Sequence, residues 1–205
     1  LPAFISHGTL KDNDLTPVNS IEAVGVWDTV GALGFPIYDD EDKRIDAFRF
    51  ANTKLSGKVK KGLHAVSIDE QRASFTPTFW DRSPRITQTL FPGAHADVGG
   101  GYPGVNDESG LSDATLKWMM EKLDGAGVSF ADPAPIDIMP NAAGTAHMPW
   151  IKPPWTKMSI ANRTFPNGLE IHPSVEKRKK SGKVFPDPSK PSEKYNPVNL
   201  LPLGS

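Results

Sequence analysis

The chain has 205 residues, a formal net charge of −1 and 38% hydrophobic residues, enough apolar material for a packed core. Lys plus Arg number 23 against 24 for Asp plus Glu, which excludes a protein built around a nucleic-acid field and leaves only a local patch open. Cysteine is absent, so disulfide frameworks, thiol nucleophiles and Cys-based zinc sites are excluded, and no apolar run approaches the roughly 18 residues of a membrane span.

Residues 1–20 are polar and interrupted by Pro2 and Pro17, which reads as a connection with room for a short helix. Ile21-Glu22-Ala23-Val24-Gly25-Val26-Trp27 is a short run rich in β-branched residues that ends at Asp28-Thr29 and reaches Gly31 and Gly34. That is the pattern of a buried parallel strand delivering the chain to a functional loop. In 57–72, Val59, Leu63, Val66 and Ile68 surround His64 at a spacing that predicts a helix at least to Ser67. Arg85 to Phe91 alternates and predicts a second strand, leading into Pro92-Gly93-Ala94-His95-Ala96-Asp97-Val98-Gly99-Gly100-Gly101-Tyr102. A helix is predicted over 112–123, with Ser112 as N-cap, Leu111 and Leu116 as a staple, and Leu116, Met119, Met120 and Leu123 on one apolar face. Gly125 and Gly127 end it. Pro and Gly number 20 and 18, above ordinary usage, and Pro crowds into 131–154 and 183–202, so the last third reads as loop-rich without a long periodic element.

Strand–loop, helix, strand–loop, helix is an α/β arrangement, and open α/β sheets bind ligands beyond the carboxyl ends of their strands. Asp28 and His95 both fall at such ends, so they are expected to converge although 67 positions apart. Asp28 reads either as a cap accepting backbone N–H groups or as a carboxylate that orients an imidazole. His95 reads as a structural histidine or, beside three glycines that keep the loop flat for a close approach, as a general base. Asp97 is a second candidate for the orienting carboxylate and a weak candidate metal ligand. His64 reads as a buried, hydrogen-bonded histidine, and Asp69, Glu70 and Arg72 as a solvated or salt-bridged helix end. Lys177-Arg178-Lys179-Lys180 is a basic stretch, solvated surface by default and an anionic-lipid contact otherwise. The segment from His147 to Trp155, with Trp150 and Trp155, either packs on the core or forms a lid or interfacial contact. The nucleophile elbow G-x-S-x-G occurs nowhere in the chain; Ser56 and Ser109 come nearest and lack the first glycine.

Val26-Trp27-Asp28-Thr29-Val30-Gly31, His64 to Glu70, Phe75 to Trp80 and Phe91 to Tyr102 together resemble the DUF2235 family of α/β-hydrolases, which includes the Tle1-type phospholipase effectors of bacterial type VI secretion and fungal relatives. The resemblance is strong over 21–123 and loose beyond. It implies the C-terminal half of an α/β-hydrolase catalytic domain over 1–130 and a proline-rich lid, cap or extension over 131–205. It implies a serine hydrolase of esters, phospholipids among them. Asp28 would be the triad acid, His95 the general base, and the nucleophile would come from an N-terminal segment carrying the elbow, upstream of Leu1. A lipid surface would be the partner, with Trp150, Trp155, Lys177 and Arg178 as substrate contacts. No cofactor is implied, apart from Ca²⁺ as a structural ion on nearby carboxylates; a secreted bacterial effector is the implied setting. The alternatives are a non-catalytic binding or structural module of the same fold, and a metal-dependent hydrolase using His95, Asp97 and Asp28.

Overall fold

The computed structural model describes residues 18–30, 37–38, 44–45, 53–131 and 137–200. The connection expected before residue 18 and the Gly31–Gly34 part of the loop after Asp28 lie outside the described residues. Four strands form one parallel sheet in the order β1 (Ile21–Trp27), β2 (Val59–Ser67), β3 (Ile86–Phe91) and β4 (Glu170–Ile171). Trp27 lies opposite Ala65 in the β1–β2 register, and Ser67 lies opposite Phe91 between β2 and β3. The carboxyl ends of the three longer strands therefore line up along one edge of the sheet. The architecture is α/β, as the sequence predicts.

The central strand is the element that the sequence misassigns. Residues 59–67 form β2, where the apolar spacing predicts a helix. Strand neighbours flank it on both sides and both its faces are covered, so Gly62 through Ile68 are all buried. A strand buried on both faces loses polar alternation, and its apolar run then matches a helix as well as a strand. Leu63 and Ala65 face one layer, where Phe91, Val98, Trp118 and Met119 complete a core cluster with Trp27 and Leu123 beside it. Val66 faces the other, with Ile68, Leu90 and Val175, flanked by Phe79, Phe165, Leu169, Tyr195 and Leu200. Burying an aliphatic or aromatic side chain of this size contributes about 1.5–3 kcal/mol, so the two clusters dominate the stability of the sheet.

The first layer is made by α1 (His95–Gly99) and α2 (Gly110–Asp124). The predicted helix at 112–123 is present but starts earlier. Ser112 is not its N-cap: Ser112 Oγ donates to Ser109 O from inside the first turn, and Leu111 is a buried helical residue. Gly110 opens the helix at a tight spot, where a Cβ would meet Asp107 Oδ1 at 2.7 Å and Asn141 Cβ at 2.9 Å. The buried stripe of α2 is Leu111, Ala114, Thr115, Trp118 and Met119, rotated from the face predicted around Met120. Gly25 of β1 lets α2 approach, because a Cβ there would lie 2.7 Å from Met119 Sδ.

Residues beyond 130 join the same sheet and second cluster. They supply β4, α3 (Pro173–Lys180), Phe165, Leu169 and Tyr195, and a short antiparallel pair of Lys183–Val184 with Glu193–Lys194.

Candidate active site

Asp28 follows β1 directly and is fully buried. Its φ of +40° lies in the left-handed region that disfavours non-glycine residues, and Asp28 N–H donates to Ala65 O at 2.7 Å across the sheet. His95 opens α1 after β3. The two converge as the strand ends predict, with His95 Nδ1 2.7 Å from Asp28 Oδ2. Asp28 Oδ1 also accepts the Ser67 N–H at 2.9 Å. A residue that carries no signal in the sequence completes the group. Arg163 donates through Nη1 to Asp28 Oδ1 at 2.6 Å and through Nη2 to Oδ2 at 2.8 Å. Burial alone would push the Asp28 carboxyl up; hydrogen bonds and charge from Arg163 and His95 outweigh it and hold the group down at about 2. Asp28 is therefore a carboxylate at any ordinary pH. It accepts the His95 Nδ1–H, and that tautomer leaves Nε2 as the basic nitrogen.

The His95 side chain is 32% exposed, and among the described residues Nε2 has no hydrogen-bond partner. Its ring stands edge-on to Phe75, with centroids 5.1 Å apart, and Phe75 is edge-on to Trp155 at 6.0 Å. Arg72 lies over both rings, 3.5 Å from the Phe75 centroid and 4.8 Å from that of Trp155. Of the residues proposed to meet substrate, Trp155 thus belongs to this aromatic wall. Trp150 is buried, and so is Arg178, whose guanidinium donates to Ala142 O, Gly144 O and Phe185 O. Arg178 is accordingly not part of an exposed basic stretch; Lys177 and Lys180 are exposed, and Lys179 pairs with Glu176 at 3.0 Å.

The loops carrying the pair are laced together. Ser67 Oγ donates to Gly93 O at 2.7 Å, Gly93 N–H donates to Asp69 Oδ2 at 2.7 Å, and His95 N–H donates to Glu70 Oε2 at 3.2 Å. Asp69, Glu70 and Arg72 follow a strand and not a helix, and the salt-bridged alternative holds for Glu70 and Arg72, which pair in the interior and not in solvent. Gly93, at φ +105°, is the glycine with a close approach, since a Cβ would meet Asp97 Cβ at 2.4 Å. Gly100 and Gly101 have positive φ but nothing within 4 Å among the described residues, so backbone conformation is what requires them.

Asp97 does not orient His95. Its Oδ2 accepts the Ala94 and His147 N–H groups, and its Oδ1 lies 2.7 Å from His147 Nδ1. His147 Nε2 is 3.2 Å from Glu108 Oε2 and its ring stacks on Tyr102. Burial lowers the His147 pKa, but the two carboxylates outweigh it and the net shift is upward. His64 is the buried, hydrogen-bonded histidine expected: Nε2 accepts the Thr29 N–H at 3.2 Å and Nδ1 faces Gln88 Oε1 at 3.4 Å, while burial lowers its pKa. Among the described residues no three His, Asp or Glu side chains converge as a cation site, and no helix is long and apolar enough to cross a membrane.

A cleft of about 960 Å³ is lined in part by Pro77, Phe79, Trp80, Phe165, Pro166 and Leu169. Its lining reaches Thr76 and Thr164 but includes none of Asp28, His95, Phe75, Trp155 and Arg163.

The family model described as T6SS, phospholipase effector Tle1-like, catalytic domain matches residues 6–122. A curated relative, the uncharacterized protein YEL023C of Saccharomyces cerevisiae, is 33% identical over 72 residues, covering 34% of this chain and 11% of that protein. A crystal structure of an uncharacterized protein from Pseudomonas aeruginosa is 29% identical with a TM-score of 0.38, over 58% of this chain and 18% of that chain. The chain spans only a small part of the length of either relative.

Proposed function

The chain belongs to the type VI secretion Tle1-like phospholipase effector family, catalytic domain, and on that premise we propose that it supplies the acid and base of a serine esterase acting on phospholipids. The observation that carries the reading is the buried Asp28 carboxylate, 2.7 Å from His95 Nδ1, with Nε2 unpartnered among the described residues. In this reading the nucleophile is a serine outside these 205 residues, on an elbow segment whose strand extends the sheet beyond β1. Among the described serines none is hydrogen-bonded to His95.

The chemistry follows from the tautomer. The serine oxygen attacks the acyl carbonyl carbon while its proton passes to His95 Nε2. Asp28 stabilises the imidazolium through the Nδ1–H without taking its proton. The tetrahedral intermediate then expels the alcohol, which leaves with the Nε2 proton, and water releases the acyl group by the same steps. Phe75 and Trp155 give the His95 edge of the site an apolar wall.

The test uses the full-length natural protein, phospholipid vesicles, a short soluble ester and a serine-directed fluorophosphonate. Asp28→Asn and His95→Ala are expected to lower turnover of both substrates by about 10⁴-fold while the protein stays folded. Retained turnover in His95→Ala, or inactivation by a chelator without reaction with the phosphonate, overturns the reading.

A further inference from the structure

The role of Arg163 is not explained by packing alone. The Asp28 carboxylate has about four acceptor directions, and all are used: Ser67 N–H and Arg163 Nη1 at Oδ1, His95 Nδ1 and Arg163 Nη2 at Oδ2. Half of them go to one guanidinium, in the fork-to-fork geometry that fixes a carboxylate plane. Arg163 is itself held rigidly. Nη1 donates to Ser67 O at 2.7 Å and Nη2 to Phe75 O at 2.5 Å, while Arg163 N–H donates to Asn199 Oδ1 at 3.1 Å. Asn199 Nδ2 donates in turn to Ile68 O at 2.7 Å. The guanidinium thus spans the loop after β2 and the backbone of Phe75, the residue whose ring stands against His95. A buried pair serving stability alone has no need to share an oxygen with a half-exposed imidazole.

We propose that Arg163 is a positioning residue for the Asp28–His95 pair, locking the carboxylate plane toward Nδ1 and withdrawing negative charge from the oxygen that the imidazole shares. The inference rests on the reading of His95 as the proton carrier. Two consequences follow. Without the fork, the carboxylate turns about its Cβ–Cγ bond and His95 loses its fixed orientation. Without the cation, the imidazolium faces an uncompensated carboxylate and holds its proton more tightly, which makes a poorer base at low pH. Among the described residues, the other charged groups near His95 are Glu70 and Arg72 from the loop after β2 and Asp97 on its own helix. Glu70 and Arg72 pair with each other, and Asp97 is bonded to His147, so among the described residues Arg163 is the lysine or arginine paired with Asp28.

The experiment compares Arg163→Gln and Arg163→Lys in the full-length protein, reading kcat and KM against pH together with the His95 ring titration by NMR. Arg163→Gln is expected to lower kcat by about 10²-fold with little change in KM. It should also move the acid limb of the kcat/KM profile to higher pH. Arg163→Lys keeps the charge without the fork, so its acid limb should stay near wild type while kcat recovers only in part. If Arg163→Gln does not fold, the lysine variant carries the test: a wild-type kcat in it overturns the positioning role. A folded Arg163→Gln with unchanged titration overturns the inference even if His95→Ala is inactive. A shifted titration in a protein without esterase activity upholds the coupling of Arg163 to His95 and removes the functional reading instead.

Discussion

Glu70 and Arg72, two residues apart, form a buried ion pair whose carboxylate also accepts the backbone N–H of His95. Glu70 Oε1 takes the Arg72 N–H and Nε–H, each at 2.8 Å, and Oε2 takes Nη2 at 2.8 Å and His95 N at 3.2 Å. The pair therefore fixes where α1 begins. Removing one partner leaves the other charge buried and alone. Glu70→Ala is expected to cost about 3–5 kcal/mol, read as a lowered denaturant midpoint at unchanged slope. Replacing both, as Glu70→Leu with Arg72→Met, should cost less than the single change.

Glycine substitutions in the His95 loop should separate two causes. Gly93→Ala combines a strained φ with a Cβ placed 2.4 Å from Asp97 Cβ, and is expected to cost about 2–5 kcal/mol. Gly100→Ala and Gly101→Ala meet no neighbour within 4 Å among the described residues and carry strain alone, about 1–2 kcal/mol each. Thermal unfolding of the three variants tests the order; equal losses would mean that crowding at Asp97 does not matter.

His172 makes acid stability predictable. Its ring stacks on Phe91, with centroids 4.4 Å apart, and Nδ1 accepts the Ser174 N–H at the start of α3. Burial, with Lys177 nearby, lowers its pKa from 6.5 to about 4. Between those values the unfolded chain binds a proton that the folded chain refuses, so stability falls as the pH drops from 6.5 to 4. His172→Asn keeps a capping acceptor and does not titrate. Urea unfolding across that window should give a shallower dependence on pH in the variant than in the wild type.

In the basic stretch of α3, one side chain differs from its neighbours. Arg178 is 1% exposed and holds three backbone carbonyls, so Arg178→Ala is expected to cost about 3 kcal/mol or more. Lys177→Ala and Lys180→Ala, on the exposed side, should stay within about 0.5 kcal/mol. A vesicle-binding test of this surface therefore neutralises Lys177, Lys179 and Lys180 and leaves Arg178 in place. Weaker binding to anionic vesicles with unchanged turnover of a soluble ester assigns these lysines to lipid contact; no change assigns them to solvated surface.

What the sequence made legible was local chemistry at strand ends. The runs at 21–27 and 86–91 are short, β-branched and bounded by loop residues, so their ends, and with them Asp28 and His95, could be placed. The central strand was hidden by its own burial: with both faces covered, Val59, Leu63 and Val66 fall at helical spacing. Arg163 was invisible because it lies in a stretch without periodic pattern, 135 residues from Asp28. The same distance problem hid the histidine that Asp97 holds, 50 residues further on. Glu70 and Arg72 carried a charge pattern that ordinarily means solvent, and only the aromatic cover of Phe75 and Trp155 over Arg72 reveals the interior.

Arg163 follows Asp28 by 135 positions, and that separation also sets a clock. Ribosomes add about 5–20 residues per second, so the aspartate is made roughly 7–27 s before the guanidinium that seats it. Asn199, which holds the Arg163 backbone, comes later still. His95 follows Asp28 by 67 residues, so over the second half of that interval both are on the growing chain while the fork that orients the carboxylate is not. Synthesis thus delivers the pair before its brace, and a chain that stalls between residues 95 and 163 carries Asp28 and His95 without the guanidinium that fixes the carboxylate plane.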